Sequence, residues 1–471
     1  MSLPRPTPSL RAVADQMFSR AAGAPLVGGN AVRVLRDAAE NYPAWERAIE
    51  SATSTVHMEM YIVHRDRTGR RFVDLLARKA REGVTVRVAY DWFGCGSAPL
   101  FGIFRPLVAA GGEVRAFNRP TLSAALGWLR RNHRKLITVD SRVAFISGLC
   151  IGEMWEGIPA KKREPWRDTG VEITGPAVSF AEQAFADSWR LVGGTIDAHT
   201  LPDPDRVPPA GDVMLRLIPT EPFAANLLRI DLLVSSLARR TLWITDAYFI
   251  GTGAYIEALR RTALDGVDVR LLLPSSSDVG WVLPASRALY RPLLEAGVRV
   301  FEWNGTMVHA KTAVADSRWS RIGSTNLNIN SWIGNWELDV AIEDAGIAKT
   351  MEAHYLEDLS RCTEIVLERP RTLLLPRFIK PIGRPGQARR MVRAVTGVGR
   401  SLGAAVTGNR SLETFERRPL VIAFVMLIAV ALVAFLTPRA VAWPIGALAL
   451  WGGATFLVEA LSITRRNNHK S

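Results

Sequence analysis

Hydrophobic and polar positions recur in the same order in two parts of this chain. The earlier part reads AIESATSTVHMEMYIV, FVDLLARKAREG and VTVRVAYD, and the later part reads LLVSSLARRTLWITDAYFI, YIEALRRTALDG and VDVRLLLP. Each series predicts a helix, an apolar strand, an amphipathic helix and a second apolar strand. Gly83 and Gly266 stand at equivalent points, where the amphipathic helices are predicted to end. The segment at 109–117 likewise corresponds to the segment at 295–303.

This repetition predicts an α/β fold built from two homologous domains that pack around a shared site. We place the first domain at residues 30–200 and the second at residues 213–370. The Pro- and Asp-rich stretch at 201–212 is the predicted linker between them. Residues 1–29 form an N-terminal extension, which lacks the apolar core of a secretory signal peptide.

Two uncharged apolar segments, at 420–436 and 440–458, lie near the C-terminus. Each approaches the roughly 20 residues that cross a bilayer, so we predict a transmembrane helical hairpin at 419–460. A basic juxtamembrane linker at 371–418 and a basic tail at 461–471 flank the hairpin. Because positive flanks stay on the cytoplasmic side, both ends are expected there. A re-entrant hairpin and a pair of buried helices in a soluble core are the alternatives.

The composition adds a charge argument. The chain has 471 residues and a formal net charge of +14, which indicates an anionic partner: nucleic acid, an acidic membrane surface or a phosphorylated substrate. Charge alone does not choose among these. The three cysteines form no CxxC pair, which argues against a disulfide framework or a structural zinc site and favours a reducing compartment.

The candidate chemistry lies in a pattern, HxKxxxxD, that occurs once in each half. Its members are His133, Lys135 and Asp140 in the first half and His309, Lys311 and Asp316 in the second. In a strand, positions i and i+2 share a face, so the His and Lys of each half project into the same space. The aspartates lie an odd number of positions from the His and Lys, so they project from the opposite face of the strand. We include them in the catalytic set but assign them a structural or orienting role. One copy is weak evidence, but two copies at matching positions of a duplicated chain are strong evidence.

Two His-Lys pairs suit the transfer of a phosphodiester. One imidazole attacks phosphorus and forms a phosphohistidine, and the other protonates the leaving alcohol. The lysines neutralise the non-bridging oxygens. This chemistry requires no metal and no other cofactor, and the sequence has no cluster with metal-ligand spacing. Because each half supplies one pair, the site must lie between the domains.

Several stretches resemble the phospholipase D superfamily, and within it most closely the bacterial cardiolipin synthases. They are VHAKTAVAD followed by GSTNLNINSWIGNWELDV in the second half, and NHRKLITVD, RVAFISGLCIG and WRDTGVEITGP in the first. The resemblance covers roughly residues 30–370. It implies a two-domain α/β enzyme that works through a phosphohistidine without a metal. The typical synthase joins two phosphatidylglycerols and releases glycerol.

The resemblance also implies roles for individual residues. His133 matches the usual nucleophile and His309 the general acid. Asp168 and Glu337 match the acids that orient the histidines across the site. The remaining matches are phosphate-binding positions, namely Lys135, Lys311, Ser324 and Asn326. Apart from the resemblance, Ser147 of the first half is a candidate substrate-binding residue because its hydroxyl is a hydrogen-bond donor.

Two departures from the family pattern stand out. The first motif usually continues Gly-Gly-x-Asn, whereas this chain has Ser147, Gly148, Leu149 and Cys150. A thiol is a weak donor, so a phosphate contact expected from Asn is in doubt. Cardiolipin synthases also often carry their membrane helices at the N-terminus, whereas the hairpin predicted here is C-terminal.

The leading functional hypothesis is phosphatidyl transfer that makes cardiolipin or a related phospholipid. The expected partners are phosphatidylglycerol and a membrane, not nucleic acid, and the expected location is the bacterial inner membrane with the catalytic domains on the cytoplasmic side. One alternative is hydrolysis of phospholipid to phosphatidic acid. Others are a membrane-attached nuclease of the same superfamily and a non-catalytic adaptor. The acceptor and the oligomeric state stay open.

Overall fold

The computed structural model describes residues 10–119, 130–367 and 410–411. The hairpin predicted at 419–460 and the tail predicted at 461–471 lie outside the described residues, as does all but two residues of the linker predicted at 371–418. Among the described helices, none is both long and apolar enough to cross a bilayer.

Helices and strands alternate along most of the described chain. The α-helices are α1 (Leu10–Ala22), α2 (Asp37–Glu50), α3 (Arg67–Arg81), α4 (Trp92–Cys95), α5 (Arg105–Ala109), α6 (Glu153–Glu156), α7 (Ala177–Leu191), α8 (Asn226–Leu237), α9 (Gly253–Leu264), α10 (Val282–Ala288), α11 (Tyr290–Glu295) and α12 (Ala345–Leu359). The strands are β1 (Val27–Arg36), β2 (Thr55–Met60), β3 (Thr85–Asp91), β4 (Glu113–Phe117), β5 (Lys135–Val139), β6 (Val143–Ser147), β7 (Thr169–Thr174), β8 (Val213–Thr220), β9 (Thr241–Thr245), β10 (Asp268–Pro274), β11 (Arg299–Trp303), β12 (Thr312–Ala315), β13 (Trp319–Gly323), β14 (Glu337–Glu343), β15 (Cys362–Val366) and β16 (Arg410–Ser411).

The strands form one hydrogen-bonded sheet whose order repeats in the two halves of the chain. The order is β16-β15-β11-β10-β9-β12-β13-β14-β8-β1-β7-β6-β5-β2-β3-β4. From the centre outward, the first half runs β1-β7-β6-β5-β2-β3-β4 and the second runs β8-β14-β13-β12-β9-β10-β11, so each of these strands has a counterpart at the same place, while β15 and β16 continue the sheet beyond β11. At the centre, β1 and β8 pair antiparallel. The prediction of a duplicated α/β fold is confirmed.

Each half combines a parallel and an antiparallel part. β2, β3 and β4 are parallel, as are β9, β10 and β11. Parallel neighbours need a crossover, and the amphipathic helices α3 and α9 provide it. Asp66 caps α3 by accepting from the Gly69 amide, and Thr252 caps α9 by accepting from the Tyr255 amide. β5, β6 and β7 are antiparallel, like their counterparts β12, β13 and β14.

Three apolar cores hold the layers together. One lies in the first half and includes Trp45 and Phe72, and another lies in the second half and includes Leu259 and Trp332. The third contains residues of both halves together with side chains of α7 and α12, and it joins the two halves. Helix α1, which we predicted as part of an extension, contributes Ala22 to the core of the second half.

Candidate active site

The two motif histidines lie just before β5 and β12, where the two halves of the chain meet. The His133 amide donates to the Trp336 carbonyl over 2.8 Å, and the His309 amide donates to the Arg167 carbonyl over 2.7 Å. Each histidine backbone is therefore fixed by the residue that precedes an acid of the other half. The site cannot form from one half alone.

Each imidazole pairs with a carboxylate across this boundary. His133 Nδ1 lies 2.8 Å from Glu337 Oε2, and His309 Nδ1 lies 2.6 Å from Asp168 Oδ2. All four side chains are buried. Because a carboxylate only accepts hydrogen bonds, Nδ1 carries the proton and Nε2 presents its lone pair. An imidazole in this state can act as a nucleophile or as a base through Nε2.

Burial controls the charge of both histidines. It lowers the pKa of His133 to about 4; Glu337 opposes this shift and Lys135 adds to it. Burial likewise lowers the pKa of His309 to about 4; Lys311 adds to this shift and Asp168 opposes it. Both imidazoles are therefore neutral at pH 7 in the free site.

The two lysines give the site its positive charge. Lys135 Nζ donates to the His133 carbonyl over 2.6 Å, and Lys311 Nζ lies 2.9 Å from His309 Nε2. Burial lowers the pKa of Lys311 to about 8, opposed by Asp168, and it lowers the pKa of Lys135 as well. Burying a cation is costly unless it is paired, so two buried ammonium groups favour an anionic ligand between them.

Aromatic rings surround the two histidines unequally. The Tyr61 ring packs edge-on against His133 at 4.7 Å between centroids, and the equivalent Tyr248 packs against His309 at 5.9 Å. His309 also contacts Trp155 at 5.6 Å and Trp166 at 5.5 Å.

The two acids differ in their hydrogen-bond donors. The Ser324 hydroxyl donates to Glu337 Oε2 over 2.6 Å, and the Asn335 amide donates to Glu337 Oε1 over 3.3 Å. Asp168 Oδ2 instead accepts from the Trp155 indole over 3.2 Å. Counting from the motif aspartates, Gly148 is the counterpart of Ser324, and a Cβ there would lie 2.1 Å from Asp168 Oδ1. The close approach of Asp168 thus excludes a serine at that position.

Other predicted substrate-binding positions are placed as follows. Ser147 donates to the Leu149 carbonyl over 3.3 Å. Asn326 is buried, and its Oδ1 has no hydrogen-bond partner among the described residues. Cys150, the counterpart of Asn326, is also buried, and its thiol is close enough to Lys135 and Lys311 for both to influence its pKa.

The motif aspartates lie at the far end of the same strands and do not reach the histidines. Asp140 and Asp316 occupy tight turns at φ of 51° and 52°. The Asp140 carboxylate accepts from the backbone amides of Thr53, Ser54 and Thr55. The Asp316 carboxylate accepts from three amides in the same way, at residues 239–241. From Lys135 to Asp140 the strand advances roughly 16 Å, so these aspartates fix the turns and the strand register.

The tryptophans around His309 are site residues to which sequence reasoning gave no role. Trp155 appears in the sequence only as one of many tryptophans near the motifs, and Trp166 gives no signal beyond its position two residues before Asp168. Within residues 10–119 and 130–367, no three His, Cys, Asp or Glu side chains are arranged to hold a metal ion.

Comparison with known proteins places this site in a family. The domain family described as "Cardiolipin synthase, PLD-like domain" matches residues 46–152 and 234–359, once in each half. The chain is 34 % identical to cardiolipin synthase A of Pseudomonas fluorescens over 357 residues, which cover 74 % of this chain and 72 % of that protein. It is 33 % identical to cardiolipin synthase of Alkalihalophilus pseudofirmus over 348 residues, 72 % of this chain and 68 % of that one.

A solved structure shares the fold. The crystal structure of phosphatidylserine synthase from Haemophilus influenzae superposes with a TM-score of 0.56 at 14 % identity, covering 74 % of this chain and 92 % of that one. At this identity the likeness concerns the fold alone.

Proposed function

The chain belongs to the cardiolipin synthase family of phospholipase D-type phosphatidyltransferases, and from that premise we propose that it joins two phosphatidylglycerols into cardiolipin and releases glycerol. The observation that carries this proposal is the pairing of His133 with Glu337 and of His309 with Asp168 across the two halves, beside two buried lysines. We assign His133 as the nucleophile and His309 as the general acid and base.

In the first step, His133 Nε2 attacks the phosphorus of one phosphatidylglycerol and forms a P–N bond. The bond from phosphorus to the glycerol headgroup breaks, and His309 Nε2 donates a proton to the leaving glycerol oxygen. Because His309 is neutral in the free site, it must gain that proton as the substrate binds. An anionic phosphodiester raises the pKa of a nearby imidazole, and it competes for the Lys311 ammonium that contacts His309 Nε2.

In the second step, a hydroxyl of the headgroup of another phosphatidylglycerol gives its proton to His309. Its oxygen attacks phosphorus, the P–N bond breaks, and His133 is restored as cardiolipin leaves. Lys135 and Lys311 balance the charge on the non-bridging oxygens in both steps. The side-chain amide of Asn326 supplies a hydrogen-bond donor to the phosphate. Its counterpart in the first half, Cys150, has no such amide.

Exclusion of water favours transfer over hydrolysis. His133 is 8 % exposed and His309 is 4 % exposed, so water has little access to a phosphohistidine at this site. Membrane attachment through the hairpin at 419–460, with residues 30–370 at the cytoplasmic face of the bacterial inner membrane, brings the site to its lipid.

Incubation of the purified full-length chain in detergent with labelled phosphatidylglycerol tests the proposal. We expect labelled cardiolipin and free glycerol, and no turnover by the His133→Ala variant. Phosphatidic acid as the main product would indicate hydrolysis, and cleavage of single-stranded DNA without lipid turnover would indicate a nuclease. Either result would overturn the assignment as a synthase.

A further inference from the structure

Six large apolar side chains lie exposed in segments that follow β3, β8, β10 and β13, at the end of the sheet that holds the histidines. Their exposed fractions range from 52 % to 71 %, and they are Phe93, Leu100, Phe101, Phe223, Trp281 and Ile329. An exposed apolar side chain is common when isolated, but a set gathered at one edge marks an interaction surface.

Contacts in the first half place the start of the segment after β3, which carries three of them, near His133. β3 ends at Asp91, whose carboxylate accepts from the amide of Asn132, the residue before His133. Phe93 follows directly and donates its amide to the same carboxylate. Gly94 lies against the Tyr61 ring, which itself packs on His133. Leu100 and Phe101 follow α4 in the same segment.

Contacts in the second half place the other three near residues that surround His309 and Glu337. β8 ends at Thr220, opposite Glu337, and Phe223 then donates its amide to the Ile333 carbonyl. Ile329 follows Asn328, whose side chain donates to the Tyr248 carbonyl. Trp281 lies three residues after Asp278, which accepts from the Tyr248 hydroxyl.

Arginines accompany three of the exposed rings. The guanidinium carbon lies 4.0 Å from the Phe93 ring centroid for Arg131, 5.3 Å from that of Phe101 for Arg65, and 5.0 Å from that of Phe223 for Arg130. A guanidinium stays charged at any physiological pH. Arginine beside an aromatic ring suits the bilayer interface, where the ring enters the acyl boundary and the cation meets an anionic headgroup.

We propose that the six apolar residues, together with the exposed Arg65 and Arg130, form a docking surface for an anionic bilayer, which seats the active-site end of the sheet on the membrane. The proposal rests on the proposed function, because a lipid substrate must leave a bilayer to reach histidines that are almost fully buried. Alternating rings and cations favour an anionic lipid surface over a purely apolar partner. This contact is separate from any anchoring by the segment at 419–460.

A fluorescent label tests the contact without turnover. The full-length chain carries Phe101→Cys in a Cys362→Ser background, since Cys95 and Cys150 are buried, and an NBD label is attached at residue 101. In vesicles that contain phosphatidylglycerol, we expect a blue-shifted emission that brominated lipid quenches. Leu237→Cys is the matched control: it is 49 % exposed but lies before β9, at the opposite edge, and its label should stay in water.

Two results would overturn the proposal. One is equal solvent exposure of both labels in these vesicles. The other is a blue shift at residue 101 that appears in detergent without lipid and grows with protein concentration, because it would indicate contact between copies of the chain.

Rates on two forms of substrate provide the second test. For the Phe101→Ser/Trp281→Ser variant, we expect the rate on vesicle phosphatidylglycerol, relative to the rate on monomeric short-chain phosphatidylglycerol, to fall at least about tenfold. The ratio should stay at the wild-type value for Leu237→Ser, and an unchanged ratio in the double variant would contradict docking. If wild-type protein turns over neither substrate, the proposed function is wrong. The fluorescence of the NBD label still tests the docking surface in that case.

Discussion

The two halves of this chain hold their histidines in different surroundings. Glu337, the partner of His133, accepts further hydrogen bonds from the Ser324 hydroxyl and the Asn335 amide. The partner of His309 is the shorter Asp168, which accepts from an indole. The first setting is polar and the second is largely aromatic.

This difference suits the two imidazoles to unequal tasks. A protonated imidazole gives its proton away more readily when its surroundings disfavour the positively charged ring. Around His309, Trp155 and Trp166 lie close and Lys311 adds to the effect of burial in lowering the pKa. His133 has Glu337 as the strongest opposition to burial, which helps to stabilise positive charge on the ring once a P–N bond forms.

The largest effects are expected when either histidine is removed. His133→Ala and His309→Ala should each lower kcat/KM for phosphatidylglycerol by at least about a thousandfold, because one loses the nucleophile and the other the proton donor. A phosphatidyl ester of p-nitrophenol separates the two roles, since its leaving group needs no proton. Release of p-nitrophenol should recover in a first turnover of His309→Ala but not of His133→Ala, and equal recovery in both would contradict the assigned roles.

Smaller effects are expected from the donors that hold the two acids. Ser324→Ala removes the hydroxyl from Glu337, and Trp155→Phe removes the indole N–H from Asp168. A hydrogen bond to a charged group is worth about 1.5–3 kcal/mol, so each kcat should fall roughly tenfold to a hundredfold.

The pH profile shows whether these donors act through the histidines. The acidic limb of kcat should shift in each variant because the histidine pKa changes with its acid. The control for loss of an indole is Trp45→Phe, since Trp45 is a buried tryptophan of the first core. This variant should change neither kcat nor the position of its acidic limb. Unchanged pH profiles in both site variants would indicate that the two donors serve folding alone.

Acid should destabilise the fold through both histidines. Their folded-state pKa values of about 4 lie below the ordinary 6.5, so the unfolded chain binds more protons once the pH falls below about 6.5. The loss amounts to about 2 kcal/mol per histidine at pH 5. Asp246 and Asp339, whose pKa values burial raises to about 7, act in the opposite direction. The histidine contribution therefore requires a comparison between variants.

The comparison uses His133→Gln/His309→Gln, in which each amide can still donate to its acid. Between pH 7 and pH 5, wild type should lose a few kcal/mol of unfolding free energy relative to the double variant, as measured by denaturant unfolding in detergent. Parallel pH dependences would mean that the imidazoles are not held neutral.

The smallest effect is expected at Cys150, whose counterpart in the second half is Asn326. Cys150→Asn should leave turnover intact or raise it a few-fold, because it restores an amide near the two lysines. The hydrogen bond from the Tyr42 hydroxyl to the Cys150 carbonyl, 2.6 Å long, involves only backbone at that position and should survive. A loss of more than tenfold with unchanged stability would show that the thiol itself is required.

Local patterns were enough to predict the duplication and the two His-Lys pairs. Alternation in the strands and the periodicity of α3 and α9 are short-range signals, and the i, i+2 spacing places each Lys beside its His. Pairing of β1 with β8, which joins the halves, depends on contacts far apart in sequence that no local pattern encodes.

The motif aspartates and the tryptophans show where sequence reasoning is limited. Asp140 and Asp316 share a motif with the catalytic pairs, yet they bind backbone amides at turns that need a positive φ. Trp155 and Trp166 come to His309 only because the loop after β6 folds across the boundary between the halves. The correspondence of Gly148 with Ser324 is visible in the sequence, but its reason, the close approach of Asp168, required the structure.

The most direct test of two imidazoles acting on one phosphorus atom is to trap the intermediate. His309→Asn protein is mixed with phosphatidyl-p-nitrophenol, quenched under alkaline conditions and digested for mass spectrometry. We expect the phosphatidyl group on His133, where it accumulates because no base remains to activate the acceptor, and no adduct in the matched His133→Asn protein. An adduct on another residue, or steady cardiolipin formation by the His133→Asn protein, would contradict the account.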